Sequence, residues 1–124
     1  MRQNRAARVG DEMQKVISQL LLTEVKDPRI PMMTSVLEVR MSSDLTHATI
    51  FLSVYGTEEE KRACMAAMER ASGFIRSQVA RRIKLRVAPE LHFKLDESIQ
   101  KSMELMDLID KTIQEDQRRA HGDE

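Results

Sequence analysis

The chain of 124 residues is poor in cysteine, in aromatic side chains and in long apolar runs. Its single cysteine, Cys64, excludes an internal disulfide and suits a reducing compartment. No apolar stretch follows the N-terminal residues, and none reaches the roughly 18 residues of a transmembrane helix. The sequence therefore predicts a soluble cytoplasmic protein without a membrane partner. Three Phe, one Tyr and no Trp also leave few rings that could stack on bases.

Motifs typical of enzymes are missing as well. The chain has no Walker loop, no Gly-x-Gly-x-x-Gly and no Ser-centred elbow. Cys64 belongs to a stripe of small and apolar residues, which predicts an inert buried thiol. His47, His92 and His121 stand apart on two predicted strands and a tail, so the sequence predicts no metal site. We expect a protein that is not an enzyme and carries no cofactor.

Charge is balanced overall but unevenly distributed. The chain has 20 Lys and Arg against 20 Asp and Glu. Residues 70–86 hold six basic residues and no acid, and residues 1–9 hold three Arg and no acid. Residues 96–124 hold nine acids against four bases, which is typical of a solvated end. A neutral chain with its positive charge gathered in one segment favours a polyanionic ligand, with RNA or DNA first.

Hydrophobic periodicity predicts the element order α-β-β-α-α-β with an additional C-terminal helix. The predicted elements are a helix from about 7 to 26, strands near 37–41 and 48–55, helices at 57–73 and 73–85, a strand at 91–95 and a helix ending near 117. Asp27-Pro28 and Pro31 end the first helix. Leu37, Val39 and Met41 are expected to point inward from the first strand. The last helix has its own apolar stripe, formed by Ile99, Met103, Met106, Ile109 and Ile113.

These elements indicate an α+β fold with a three-stranded sheet and helices on one face. The order matches the type II K-homology (KH) fold, an RNA-binding module. Residues 1–117 are expected to form one domain that includes a basic N-terminal arm and the C-terminal helix, and residues 118–124 a frayed tail.

A KH domain grips nucleic-acid backbone at a Gly-x-x-Gly loop between two consecutive helices. This chain has no such loop, and the corresponding junction is Ala71-Ser72-Gly73. Two interpretations stay open. The small residues allow close approach of a ligand backbone, or they form a helix kink that serves packing alone.

The helix after this junction carries most of the positive charge. At 100° per residue Ser77, Arg81 and Lys84 project away from the core stripe, with Arg76 on one flank and Arg82 near the stripe. The N-terminal arginines are either an RNA-contacting arm or incidental charge on a disordered start. The predicted RNA-binding residues are Arg2, Arg5, Arg8, Arg70, Ala71, Ser72, Gly73, Arg76, Ser77, Arg81, Arg82, Lys84 and Arg86.

Four strings spread along the chain carry a family resemblance. They are Glu24-Val25-Lys26-Asp27-Pro28-Arg29-Ile30, Asp44-Leu45-Thr46-His47-Ala48, Ala71-Ser72-Gly73, and the segment from Arg86 to Ser98 with its Arg-x-x-Pro-x-Leu-x-Phe-x-x-Asp pattern. Together they resemble the ribosome-binding factor A family over nearly the whole chain.

The resemblance implies a KH-type assembly factor that binds the free, immature small (30S) ribosomal subunit and its 16S rRNA. Such a factor assists late maturation, including 5′-end processing of precursor 16S rRNA, and supports growth in the cold. It also implies a kinked Ala-x-Gly junction in place of Gly-x-x-Gly. A monomer is expected, with a ribosome-associated GTPase as a candidate release factor. The alternative is a protein-interaction module on the ribosome with only incidental RNA contact.

Overall fold

A computed structural model describes residues 4–25, 28, 30 and 34–122 of the chain, without the side chains of 99, 100 and 115–122. The elements are α1 (Arg5–Thr23), β1 (Ser35–Met41), β2 (His47–Ser53), α2 (Glu58–Ile83), β3 (Glu90–Leu95) and α3 (Ser98–Gly122). The three strands form one sheet in the order β1-β2-β3, with β1 antiparallel and β3 parallel to β2.

One hydrophobic core lies between the sheet and the helices α1 and α2. Inward residues of β2, namely Ala48, Ile50 and Leu52, are fully buried, as their alternation predicts. The helices contribute buried residues at helical spacing, including Ile17 of α1 and Val79 of α2. The α+β class, with a three-stranded sheet covered on one face, is therefore confirmed, and the arrangement is KH-like.

Both core helices begin with a side-chain cap. Asn4 accepts a hydrogen bond from the Ala7 backbone N–H at 2.7 Å, which starts α1. Thr57 and Glu60 form the capping box that the sequence predicts at the start of α2. The first helix ends at Thr23, before the predicted stop at Asp27-Pro28. Asp27 and Pro31 lie outside the described residues.

Strand β1 departs from the predicted alternation. Val36 and Val39 are buried, whereas Leu37 and Met41 are only half-buried, so Leu37 was wrongly assigned to the core. The cause is a β-bulge, because Val36 pairs with Leu52 and Glu38 already pairs with Phe51. Gln14 donates from Nε2 to the carbonyls of Val36 and Leu37, at 3.1 and 3.2 Å, so both carbonyl groups at the bulge have a hydrogen-bond donor.

The predicted helix break at Gly73 is wrong, because α2 runs without interruption from Glu58 to Ile83. One glycine costs a helix only about 1 kcal/mol. The apolar stripe also continues in phase through it, with Ala71 before and Ile75 after, and Ile75 is fully buried. Burial on one continuous face outweighs the glycine, so the two expected helices are one.

Helix α3 follows β3 in the chain. It extends to Gly122, beyond the predicted end near 117. Every residue from 101 to 114 is exposed, so the stripe residues Met103, Met106, Ile109 and Ile113 are not covered, and the Ile99 side chain lies outside the described residues. Among the described residues, no helix is long and apolar enough to cross a membrane.

An ion pair links the start of α3 to α2. Lys61 is only 3% exposed, and its Nζ donates to Glu97 Oε1 at 3.1 Å. Glu58 lies 3.6 Å away on the same helix as Lys61. The hydrogen bond to Glu97 is the main cause that raises the pKa of Lys61, so its ammonium is held in the charged form.

Candidate nucleic-acid interface

Exposed cations without acidic partners mark the C-terminal end of α2. Arg81 lies in its last turn, Lys84 is its C-cap residue, and Arg86 follows in the loop to β3. All three are exposed, and none forms a salt bridge with any residue in the part of the chain that the structure describes. This group, the basic end of α2, keeps its charges available for an anion.

Lys84 adopts an unusual backbone conformation for its residue type. Its φ and ψ of 59° and 47° are left-handed, and its N–H donates to the Ala80 carbonyl. Glycine normally occupies this position at a helix C-terminus, and a side chain there costs about 1 kcal/mol. Backbone strain of this kind is common where a side chain serves function.

A cleft of about 470 Å³ adjoins the basic end of α2. Arg5 at the start of α1 forms one wall, and Arg86 and Val87 form another. The turn between β1 and β2 closes it with Asp44 and Thr46. Arg5 and Arg86 are 81 residues apart in sequence, yet they line the same opening. The structure thus brings an N-terminal arginine together with the end of the basic segment.

One carboxylate oxygen, Asp44 Oδ1, accepts the hydrogen bonds that hold together the cleft wall formed by the β1–β2 turn. Asp44 Oδ1 accepts hydrogen bonds from the hydroxyls of Ser42 and Thr46, both at 2.7 Å, and from the Thr46 N–H at 3.1 Å. These bonds, with Ser42 first, lower the pKa of Asp44 to about 2. Asp44 forms no salt bridge with Arg5 or Arg86 in the described part of the chain. Arg5 and Arg86 therefore line the cleft without a salt bridge to the carboxylate that lines it with them.

Two predicted RNA-binding arginines are engaged within the domain. Arg76 donates from Nε to the Pro89 carbonyl at 2.8 Å and from Nη2 to the Ala88 carbonyl at 3.0 Å. Arg82 pairs through Nη2 with Glu24 Oε1 at 2.9 Å, which links the ends of α2 and α1. These contacts give both arginines a structural role that the sequence did not indicate. Their contact with RNA stays a prediction.

The comparisons with known proteins agree with this fold. The family model described as Ribosome-binding factor A matches residues 5–109. The chain belongs to the ribosome-binding factor A family. A ribosome-binding factor A of Alkaliphilus metalliredigens is 44% identical over 112 residues, covering 90% of this chain and 81% of the relative. One of Pseudomonas paraeruginosa is 40% identical over 123 residues, covering 98% and 94%.

Solved structures with this fold include a protein of Thermotoga maritima studied by NMR. It superposes with a TM-score of 0.66 at 32% identity, over 78% of this chain and 94% of that one. The crystal structure of ribosome-binding factor A from Thermus thermophilus gives a TM-score of 0.65 at 23% identity, over 74% and 97%. A homology model of the Thermus protein, fitted into a cryo-EM map of its 30S complex, gives 0.61 at 23% identity, over 74% and 96%. At 23% identity the likeness shows the fold.

The Ala71-Ser72-Gly73 segment of this ribosome-binding factor A family member lies on a regular helical surface. The Ser72 hydroxyl donates to the Glu69 carbonyl at 2.6 Å. Gly73 is exposed, and a Cβ built on it would have no neighbour within 4 Å outside its own helix. Its backbone does not adopt positive φ. Gly73 therefore offers a place on α2 for close approach, about 12 Å along the helix from Arg81, whereas Ala71 packs partly against the core.

The remaining predicted site residues occupy different positions. Arg8, Arg70 and Ser77 are exposed, Arg70 has an interaction within the described chain, and Arg2 lies outside the described residues. Sequence reasoning missed Asp44 and Thr46 as cleft residues. The signal was present in the Asp44-Leu45-Thr46 turn, but only the folded register brings that turn to the basic end of α2.

Proposed function

We propose that this protein is a ribosome assembly factor that binds the immature 30S subunit through its 16S rRNA in the cytoplasm. Membership of the ribosome-binding factor A family carries the proposal. A member from Thermus thermophilus, fitted into the map of a 30S complex, supports the choice of subunit. The exposed cations Arg81, Lys84 and Arg86 at the basic end of α2 supply a physical basis for contact with an rRNA backbone.

The basic end of α2 and Arg5 would form the phosphate contacts. Each cation that neutralises a phosphate releases bound counterions, so affinity falls with salt by a slope of roughly 0.7–0.9 per contact. Three or four such contacts predict a slope of about −2 to −4 in a plot of log affinity against log salt. These contacts carry no sequence information, and so they position the protein on folded RNA rather than read bases.

The cleft suits an anionic group that projects from the RNA. Its volume of about 470 Å³ falls within the usual size of small-ligand pockets. Arg5 and Arg86 offer donors from two walls, and bidentate guanidinium contact with phosphate is the strong form of this interaction. Asp44 keeps its carboxylate bound within the turn, which holds the wall in place.

The mechanism we propose is binding and release without catalysis. The protein would hold 16S rRNA in a precursor arrangement, and its departure, with a ribosome-associated GTPase as candidate release factor, would let late maturation proceed. Defective 5′-end processing needs no catalytic residue in this chain, because misfolded RNA blocks a separate nuclease. Purified protein is accordingly expected to leave precursor 16S rRNA uncut.

The alternative is a protein-interaction module, and the exposed stripe on α3 favours it. Met103 and Met106 are 62% and 66% exposed, and apolar faces of this kind often bind a partner. The dependence of binding affinity on salt concentration distinguishes the two functions. Affinity of an apolar protein interface changes little with salt, whereas the RNA contact weakens steeply.

Crosslinking in cells, followed by sequencing of the attached RNA, tests the proposal. The expected reads cluster at a few sites of 16S rRNA, with an excess of molecules that retain the unprocessed 5′ end. A chain with Arg81→Glu and Arg86→Glu provides the matched control and should lose those clusters. Reads spread over messenger RNAs, or clusters unchanged in the control chain, would contradict it.

A further inference from the structure

Two histidines and a glutamate meet on the sheet face opposite the helices. The parallel pairing of β2 with β3 sets His47 against Glu90, and His92 lies two residues further along the same face of β3. His47 Nδ1 lies 3.0 Å from His92 Nε2 and 3.6 Å from Glu90 Oε2. The two rings stack with centroids 5.3 Å apart. The sequence-based expectation that His47 and His92 stand apart is therefore wrong.

One ligand atom from each of the three residues falls within 4.8 Å of the other two. In a tetrahedral zinc site, bonds of about 2.0–2.1 Å place neighbouring ligand atoms about 3.3 Å apart. The two separations from His47 Nδ1, 3.0 and 3.6 Å, bracket that value, and the ligand atoms of His92 and Glu90 lie within 4.8 Å of each other. We propose that His47, Glu90 and His92 form a three-ligand site for a divalent transition-metal ion of the zinc type.

The donor set also fits this class of ion. Imidazole nitrogen suits zinc, copper and nickel, whereas magnesium and calcium take oxygen ligands. The metal-binding tautomers carry their protons on His47 Nε2 and His92 Nδ1, so neutral rings bind without net proton loss. The metal replaces the contact between the two rings, and no bond to carbon is made or broken.

Three protein ligands leave a fourth position open towards solvent. Water or an anionic oxygen can fill it, as in zinc sites with three protein ligands. With neutral imidazoles the cluster changes from a formal charge of −1 to +1 on binding. His47 follows Thr46, which lines the basic cleft, and the Glu90 N–H donates to the Thr46 carbonyl at 2.8 Å. The ion would therefore add positive charge at the edge of the same surface.

Titration of the purified full chain with Co²⁺, in the absence of RNA, tests this site. The expected result is a saturable visible absorption typical of four- or five-coordinate Co²⁺, with one ion per chain, abolished when Zn²⁺ is added. No thiolate charge-transfer band should accompany it, because Cys64 is buried in the core. A protein that shows no saturable absorption, or a charge-transfer band from sulfur, would overturn the proposal.

Substitutions then assign the ligands. His47→Asn, His92→Asn and Glu90→Gln should each weaken binding by more than the roughly 10-fold loss that follows removal of an outer-shell partner. The matched controls His121→Asn, the remaining histidine, and Glu38→Gln, an exposed acid on β1, should bind as the wild type does. Circular dichroism checks that each variant is folded. Binding retained in His47→Asn/His92→Asn, or lost equally in the controls, would overturn the assignment.

Discussion

The carbonyl oxygen of Val39 lies 2.5 Å from the position that a Cβ on Gly10 would occupy. Helix α1 can approach strand β1 so closely only because residue 10 has no side chain. Gly10→Ala should therefore destabilise the protein by about 1–3 kcal/mol, because backbone must move to admit one methyl group. Chemical denaturation measures the loss, and a variant as stable as the wild type would contradict this packing.

Gly73→Ala is the same substitution on α2 and should act in the opposite direction. Gly73 lies within a helix, and a Cβ there meets nothing within 4 Å. The expected gain in stability is about 0.5–1 kcal/mol, from reduced freedom of the unfolded chain. If rRNA backbone approaches at this point, Gly73→Ala should weaken 30S binding although it melts later. Unchanged binding would remove Gly73 from the contact surface, and a lower melting temperature would contradict the regular helix.

Lys84→Gly should likewise weaken 30S binding without a matching loss of stability. A glycine at the left-handed C-cap removes about 1 kcal/mol of backbone strain, offset in part by greater freedom of the unfolded chain. It also removes one cation from the basic end of α2, so the salt dependence of 30S binding should become shallower by roughly one contact. The measurements are a thermal melt and binding across a salt series. Unchanged salt dependence would show that Lys84 has no phosphate contact.

Asp44→Asn should change the dependence of folding stability on pH. The pKa of Asp44 is lowered from 3.8 to about 2 in the folded protein, so its ionised form stabilises the fold. That stabilisation is fully present above the unfolded pKa near 3.8 and is lost as pH falls towards 2. The melting temperature of the wild type should exceed that of Asp44→Asn at neutral pH, and the difference should shrink across this window. A difference independent of pH would contradict the role assigned to the carboxylate.

Local patterns in the sequence predicted the parts of the fold that depend on local interactions. Alternation identified β2, and the spacing of Thr57 and Glu60 identified the start of α2. The bulge at Leu37 could not be foreseen, because it depends on how β1 pairs with β2. The helix break predicted at Gly73 does not occur, because burial of the apolar face of α2 before and after this residue outweighs the cost of one glycine.

The parts of the candidate site that sequence could not reveal depend on distant pairing. Arg5 and Arg86 share a cleft only because α1 begins beside the loop that follows α2. Arg81 was correctly predicted to be exposed, since helical periodicity is sufficient to place it. Arg76 was also expected on the surface, yet its bonds to the Pro89 and Ala88 carbonyls require the folded loop.

Co-sedimentation with immature 30S subunits across a salt series tests whether the basic end of α2 binds 16S rRNA. The informative variant is Arg81→Glu/Arg86→Glu, which leaves Arg76 and its contacts with the Pro89 and Ala88 carbonyls intact. Its matched control, Arg62→Glu/Lys94→Glu, makes the same charge change at exposed sites, with Arg62 about 28 Å from Arg81 along α2.

We expect that Arg81→Glu/Arg86→Glu stays folded, binds at least about tenfold more weakly and loses about 1.5 units of salt slope. The control should bind within about twofold of the wild type, since its charges lie away from the basic end of α2. Equal binding by both variants and the wild type, or an equal loss in both variants, would contradict the assignment of this surface to 16S rRNA.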